Sequence, residues 1–340
     1  MDLSEKYINN PEPQKKQRYL NWQAAKGLQQ VDGMSTSPYL DEVAEKNIEG
    51  QISAYEASQL IDSYYDVKQD RSGEAAFEEA DKVAARINIL IGESGFSLSP
   101  EELKSIHQRL FEGIFDFAGS FRKNNIIKYE WVLDGDTVTY GDAYNLESSV
   151  ENVLRAESLT PFRQLDQEEL VTHFSSFTAR LWRIHPFAEG NTRTTAVFLI
   201  KYLRSMGLDV DNTLFENHSR YFRDALVRAN YTNLKKAVYE EKSFLDDFFS
   251  DLINGKHHTF SSRQLHIYAE QPAVRTRLEP DQWKDSILKL IEEKPSITRQ
   301  EMARRLNASV KTIERQLKKI PFVHYEGSAR KGEWKVDKER

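Results

Sequence analysis

The 340-residue sequence has no cysteine, which excludes disulfides, thiolate catalysis and cysteine-ligated zinc. No apolar run approaches the roughly 18 residues that cross a bilayer, so no membrane partner is expected. The opening residues Met1-Asp2-Leu3-Ser4-Glu5-Lys6 lack the apolar stretch of a signal peptide. A cytoplasmic location fits both absences. No internal repeat or low-complexity tract is present. What remains is 39% apolar and 29% charged, the balance of a helix-rich soluble chain long enough for two or three domains. A net charge of -6 argues against a nucleic-acid coat, but the charge is uneven. Residues 278–340 carry 15 Lys+Arg against 11 Asp+Glu, a net +4, and residues 1–277 carry 32 against 42, a net -10. A basic tail on an acidic body points to a separate partner for the tail.

Helix signals dominate. Asn21 to Gln30 is predicted as a first helix, closed near Asp32-Gly33. Ser37-Pro38 reads as an N-cap followed by proline at the first helical position, with a stop at Gly50. Ser53 to Glu56 resembles a capping box. Further helices are predicted from Ala75 to Ile91 and from Ser99-Pro100 through Ile114. The one clear strand signal is Ile126 to Leu133 and Thr137 to Tyr140 around Asp134-Gly135-Asp136, a β-hairpin. Helices resume over Asn145 to Glu157 and Gln167 to Ile184. Gly255 to Arg277 is polar and weakly periodic, and reads as a linker.

One segment stands apart: His185-Pro186-Phe187-Ala188-Glu189-Gly190-Asn191-Thr192-Arg193-Thr194-Thr195. It must turn sharply between two apolar helices and start the second at Thr192. That sets the amides of Gly190 to Arg193 at a helix N-terminus, which attracts anions. Arg193 adds a guanidinium fork suited to phosphate. Glu189 offers an oxygen ligand of the kind Mg²⁺ takes alongside substrate phosphates. His185 is a group able to take a proton near neutral pH. Together these point to phosphoryl or nucleotidyl transfer.

The segment resembles the signature of the Fic family, His-x-Phe-x-[Asp/Glu]-Gly-Asn-[Gly/Lys]-Arg. Ile114 to Arg122 is similar to the family's segment before its active-site hairpin. The hairpin at residues 126–140 looks like the family's flap, and Asn217 to Asn230 like the helix that closes the nucleotide pocket. The resemblance implies a mainly α fold, a helical bundle with a β-hairpin flap, over about residues 98–254. It implies an adenylyltransferase that moves AMP from ATP to a target-protein hydroxyl, with Mg²⁺ or Mn²⁺ as cofactor. His185 would be the base, Phe187 the buried anchor and Glu189 the metal ligand. Gly190, Asn191, Thr192, Arg193 and Tyr221 would hold the nucleotide, and the flap would dock the target as an added strand.

Two positions depart from the pattern. Thr192 stands where AMP-transferring members have glycine and phosphorylating members lysine, adding bulk beside the phosphates. Ala196 replaces a second arginine, so another NTP or a phosphotransferase variant stays open. Residues 1–97 form a helical region in which Glu45-Lys46-Asn47-Ile48-Glu49-Gly50 is similar to the family's inhibitory pattern, with Glu49 as the inhibitory residue. Residues 255–277 are the linker, and residues 278–340 resemble a winged helix capped at Ser309. There Lys311, Arg315, Lys318, Lys319, Arg330 and Lys331 suit DNA phosphates. A protein-docking or homodimer-forming module is the other reading. The competing function is a DNA-binding regulator whose Fic-like domain senses a nucleotide.

Overall fold

The computed structural model describes residues 6–7, 10–67, 75–208, 210, 213–268, 282–306, 310–320, 322–326 and 332–337. The chain forms two compact units, Met1–Ile267 and Tyr268–Arg340.

The first unit is helical. Its helices are α1 (Pro13–Gly27), α2 (Pro38–Ile48), α3 (Ala54–Val67), α4 (Ala75–Gly92), α5 (Pro100–Phe111), α6 (Leu146–Ser158), α7 (Gln167–Ile184), α8 (Asn191–Ser205), α9 (Thr213–Arg228) and α10 (Ser243–Asn254). The starts follow the local chemistry. Ser37 caps α2 by accepting from the Leu40 amide, and Ser99 caps α5 by accepting from the Glu102 amide. Before α3, Ser53 and Glu56 exchange the two bonds of a capping box. The helix expected from Asn21 starts at Pro13, earlier than expected, and continues as a 3₁₀ turn, Leu28–Asp32, to Gly33 in the left-handed region.

Helix α8 is buried from Asn191 through Leu203, so it runs through the core rather than along the surface. Helices α4, α5 and α7 pack against it, and α1 packs against α4 and α9. Residues 1–97 therefore share one unit with the segment that follows. The motif loop sits between the end of α7 and the start of α8.

The hairpin exists but is short. Strands β1 (Tyr129–Glu130) and β2 (Asp136–Thr137) pair antiparallel, Tyr129 with Thr137 and Glu130 with Asp136. A 3₁₀ turn at Trp131–Leu133 interrupts the longer expected strand, because Val132 and Leu133 turn inward and are buried. Asp134 and Gly135 both have positive φ and close the five-residue loop between Glu130 and Asp136, the Gly135 amide donating to Glu130 O at 3.0 Å. The described part of the expected linker is not free chain. Leu265 is buried, its carbonyl accepts from Arg228, and the Ile267 amide donates to Val132 O.

The second unit contains α11 (Gln282–Glu293), α12 (Arg299–Arg305), α13 (Val310–Leu317) and the antiparallel pair β3 (Val323–Glu326) and β4 (Glu333–Val336). Ile287, Ile297, Met302, Ile313 and Trp334 form its core, and the Trp334 indole donates to Ile297 O at 2.8 Å. Arg315, Lys318 and Lys319 are exposed. The expected cap Ser309 and the expected wing-tip residues Arg330 and Lys331 lie outside the described residues, as does the side chain of Lys311.

Helices α1 and α9 cross closely at Gly27. A Cβ there would lie 2.3 Å from Phe215 O and 2.4 Å from Glu216 Cα. Alanine is intrinsically the better helix former by about 1 kcal/mol, but overpacking costs about 1–3 kcal/mol. Gly27→Ala should therefore lower the unfolding midpoint. A midpoint at or above wild type in urea would show that the crossing is loose.

Candidate active site

Helix α7 ends in an unusual way. His185, its C-cap, has φ 51 and ψ 58, the left-handed region that non-glycine residues rarely enter. Arg122 holds it there. This buried guanidinium donates from Nε to His185 O at 2.8 Å, from Nη2 to Ile184 O at 3.3 Å and from Nη1 to Asn124 O at 2.8 Å. It also meets Gly141 O, and the Arg122 amide donates to Pro186 O at 2.8 Å. One side chain thus satisfies last-turn carbonyls of α7 that have no partner within the helix, and ties them to both ends of the flap. Gly141 is required beside it, since a Cβ there would meet Ile184 O at 2.9 Å.

The loop is then closed from inside. The Asn191 amide side chain accepts from Phe187 N at 2.9 Å and donates to Phe187 O at 2.8 Å. Phe187 is buried against the His107 ring, stacked at 3.7 Å and 14°. His107 accepts at Nδ1 from the Gly119 amide (2.9 Å), so Nε2 carries the proton and donates to Glu189 O at 3.1 Å. Only glycine fits at 190, where φ is 75 and a Cβ would strike the Phe111 ring at 2.4 Å.

The His185 imidazole is 3% exposed, between Tyr140 (ring centroids 4.3 Å) and Trp182 (5.0 Å, edge on). Nδ1 lies 3.3 Å from Trp182 O. A carbonyl only accepts, so the neutral ring carries its proton on Nδ1 and keeps the Nε2 lone pair. Burial pushes its pKa well below the ordinary histidine range, and the charges of Lys128, Arg223 and Arg122 act in the same direction. The ring is a neutral base at pH 7.

Beside the motif lies a cleft of about 620 Å³. Its charged lining is Lys128, Arg193, Arg220 and Arg223 against Asp32, Glu79 and Glu189. A larger hollow, about 820 Å³ around Arg18, Asn47 and Asn88, contains no motif residue, so size does not locate the chemistry. Arg193 is almost fully buried and shared: Nη2 meets Glu79 at 2.7 Å and Nη1 donates to Gln29 at 3.2 Å. Its Nε is 2.8 Å from Asp32 Oδ2 but out of line for a hydrogen bond, so that contact is Coulombic. Glu189 is exposed and pairs with Lys128 Nζ at 2.7 Å. The amides of Asn191, Thr192 and Arg193 belong to the first turn of α8, where intrahelical partners are lacking.

Several expected roles look different in place. Thr192 does not crowd the cleft; its buried hydroxyl accepts from the Trp182 indole at 2.9 Å. The Asn191 side chain is committed to closing the loop. Tyr221 is not among the residues lining the cleft; it is buried against Phe260, and its hydroxyl donates to Phe244 O at 3.1 Å. Arg220 and Arg223 on the same helix line the cleft instead. Glu49 is held by Lys6 (2.7 Å), the Tyr7 hydroxyl (2.7 Å) and Lys15 (3.1 Å), which lower its pKa to about 2, and it does not line the cleft either. The carboxylates that reach Arg193 are Asp32 and Glu79, which no local pattern marks.

For Mg²⁺, no group of three His, Cys, Asp or Glu is placed to hold an ion among the described residues. The donor set nevertheless fits. One exposed carboxylate facing a phosphate-sized cleft is how Mg²⁺ is commonly held, with the substrate supplying other ligands.

Residues 97–203 match the Fic/DOC family, and residues 286–319 match a winged helix-turn-helix DNA-binding family. The first segment is thus similar to Fic/DOC domains and the second to winged helices. It is 27% identical over 112 residues to the protein adenylyltransferase VbhT of Bartonella schoenbuchensis, covering 33% of this chain and 22% of that one. It is 28% identical over 130 residues to the probable protein adenylyltransferase y4lH of Sinorhizobium fredii, covering 37% and 62%. The matches thus span less than two thirds of either relative. A Fic family protein from Desulfovibrio desulfuricans G20 aligns over 99% of this chain and 91% of that one, with TM-score 0.46 and 13% identity.

His107 generates a pH prediction. Burial, helped by Arg193, lowers its pKa from 6.5 to about 4. The unfolded chain therefore binds the proton first as pH falls. The neutral ring's contribution is complete above about pH 6.5 and is lost toward pH 4, about 3 kcal/mol in all. His107→Phe keeps the stacked ring but removes both hydrogen bonds. Its destabilisation, measured by urea midpoints, should be largest above pH 6.5 and shrink across that window. A pH-independent difference would contradict the assigned protonation state.

Proposed function

We propose that the chain transfers AMP from ATP to a hydroxyl of a target protein and releases pyrophosphate. The observation that carries this reading is the neutral His185, with its proton on Nδ1, four residues before Glu189, which together with Arg193 of the first turn of α8 lines a cleft with an excess of cations. The names of the two relatives support the same class of reaction.

In the proposed step the target oxygen bonds to the α-phosphorus while the bond to the pyrophosphate oxygen breaks. The hydroxyl proton passes to His185 Nε2. The α8 amides and Arg193 hold the phosphates, and Lys128, Arg220 and Arg223 add positive charge at the opposite wall. Glu189 would hold Mg²⁺ once Lys128 releases it, and the bound ion supplies charge neutralisation on the phosphates. Ala196 is buried and uncharged, so Arg193 is the motif's single cation and is shared with two carboxylates. On the flap, Ile127 and Tyr129 face solvent while Glu130 is buried, which suits docking of a target segment along residues 126–140.

A second reading concerns the C-terminal unit alone. The winged-helix match and the exposed Arg315, Lys318 and Lys319 favour duplex DNA as its partner.

Three outcomes are expected. His185→Ala should fold and lose about 10²–10⁴-fold in transfer of label from α-labelled ATP to protein in a lysate. In the wild type, activity should persist below the ordinary histidine pKa, because the base stays unprotonated there. Wild-type transfer by His185→Ala would refute the mechanism. For the C-terminal unit, Arg315→Ala with Lys318→Ala in the full chain should weaken duplex binding and lower the slope of affinity against salt by about 2. An unchanged slope would leave protein docking as the better reading.

A further inference from the structure

His185 has the chemistry of a base but is covered. It is 3% exposed and does not line the cleft, whereas Glu189 and Arg193 do. The group against its face is Tyr140, from the far end of the flap, at 4.3 Å between ring centroids. The Tyr140 hydroxyl donates to Glu130 Oε1 at 3.3 Å. Glu130 is itself 1% exposed, at the start of the hairpin, and is gripped by Arg223 through two bonds, Nη1 to Oε2 at 2.8 Å and Nη2 to Oε1 at 3.0 Å. Arg223 lines the cleft. A continuous path of contacts thus runs from the cleft wall, through a buried carboxylate and a tyrosine, to the face of the imidazole.

We infer that Tyr140 and Glu130 are positioning residues for His185, fixing the ring's orientation and tying its cover to the cleft arginine Arg223. The inference rests on the reading of His185 as the base. The backbone of His185 is set by Arg122, but a 3.3 Å contact from Nδ1 to Trp182 O is a weak restraint on the ring. The remaining restraint comes from packing between Trp182 and Tyr140. Tyr140 comes from a loop, and a loop side chain keeps one rotamer only when something holds its far end. Glu130 limits where that end can lie, through a contact as long as that from Nδ1 to Trp182 O, and adds to the packing of Tyr140 against Trp182 and His185; the carboxylate is itself fixed by a bidentate arginine. An anion that draws Arg223 from Glu130 loosens Tyr140. Nucleotide binding and access to the base are thereby linked through three side chains.

The test uses Tyr140→Phe, which keeps the ring and leaves the Glu130–Arg223 pair intact, and Glu130→Gln, which weakens both contacts. Diethyl pyrocarbonate, which modifies accessible unprotonated imidazole, is applied to the nucleotide-free full chain, and modification of His185 is read by peptide mass spectrometry. Both variants, matched to wild type by circular dichroism, should be modified several-fold faster. In transfer from ATP, Tyr140→Phe should lower kcat about ten-fold with little change in KM. Wild-type modification rates in Tyr140→Phe overturn the inference, as does faster modification with kcat unchanged in an active enzyme. If wild type transfers nothing yet the variants are modified faster, the nucleotidyl-transfer reading fails and the cover stands.

Discussion

The site depends on one buried guanidinium. Arg122 draws together four carbonyls, from Asn124, Gly141, Ile184 and His185, that belong to two ends of the flap and the end of α7. Without it His185 would have little reason to stay in the left-handed region, and the two ends of the flap would lose the side chain that joins both of them to the end of α7. Hydrogen bonds from a charged donor contribute more than neutral ones, and several bonds on one rigid plane fix geometry as well as energy. The loop that follows is closed locally by Asn191 on Phe187 and glycine at 190, and from a distant helix by His107 beneath Phe187.

This economy changes what each motif residue does. Asn191 and Thr192 look like ligand groups in the sequence, yet their side chains face inward and build the loop. The cleft's other cations arrive from elsewhere, Lys128 on the flap and Arg220 and Arg223 on α9. The cleft is not simply positive. Asp32 and Glu79 flank Arg193, so an incoming phosphate competes with carboxylates for the one motif arginine.

Much of this was legible in the chain. Caps at Ser37, Ser53 and Ser99 and the positive-φ turn at Asp134-Gly135 are local chemistry, and local chemistry can be read from neighbours. The motif itself is a dense local pattern. What escaped is long-range. Gln29 lies 164 residues before Arg193 and Glu79 lies 114 before it, while His107 reaches Glu189 across 82. No periodicity encodes such pairings. Tyr221 lies off the cleft for a related reason: a helix beside a pocket presents only some of its faces to it, and Arg220 and Arg223 occupy those faces. Glu49 matched an inhibitory pattern, but Lys6, Tyr7 and Lys15 surround it, and no short pattern anticipates its neighbours.

The central claim is that folding presents His185 as a neutral base with the proton on Nδ1 and the lone pair on Nε2. Nitrogen-15 spectroscopy of protein labelled at histidine, with His185 assigned by comparison with His185→Ala, reads that state directly. Between about pH 5 and pH 8 the account predicts one protonated and one unprotonated ring nitrogen, Nδ1 and Nε2 respectively, with no titration through the ordinary histidine range. A ring that titrates near 6.5, or that carries its proton on Nε2, would contradict it.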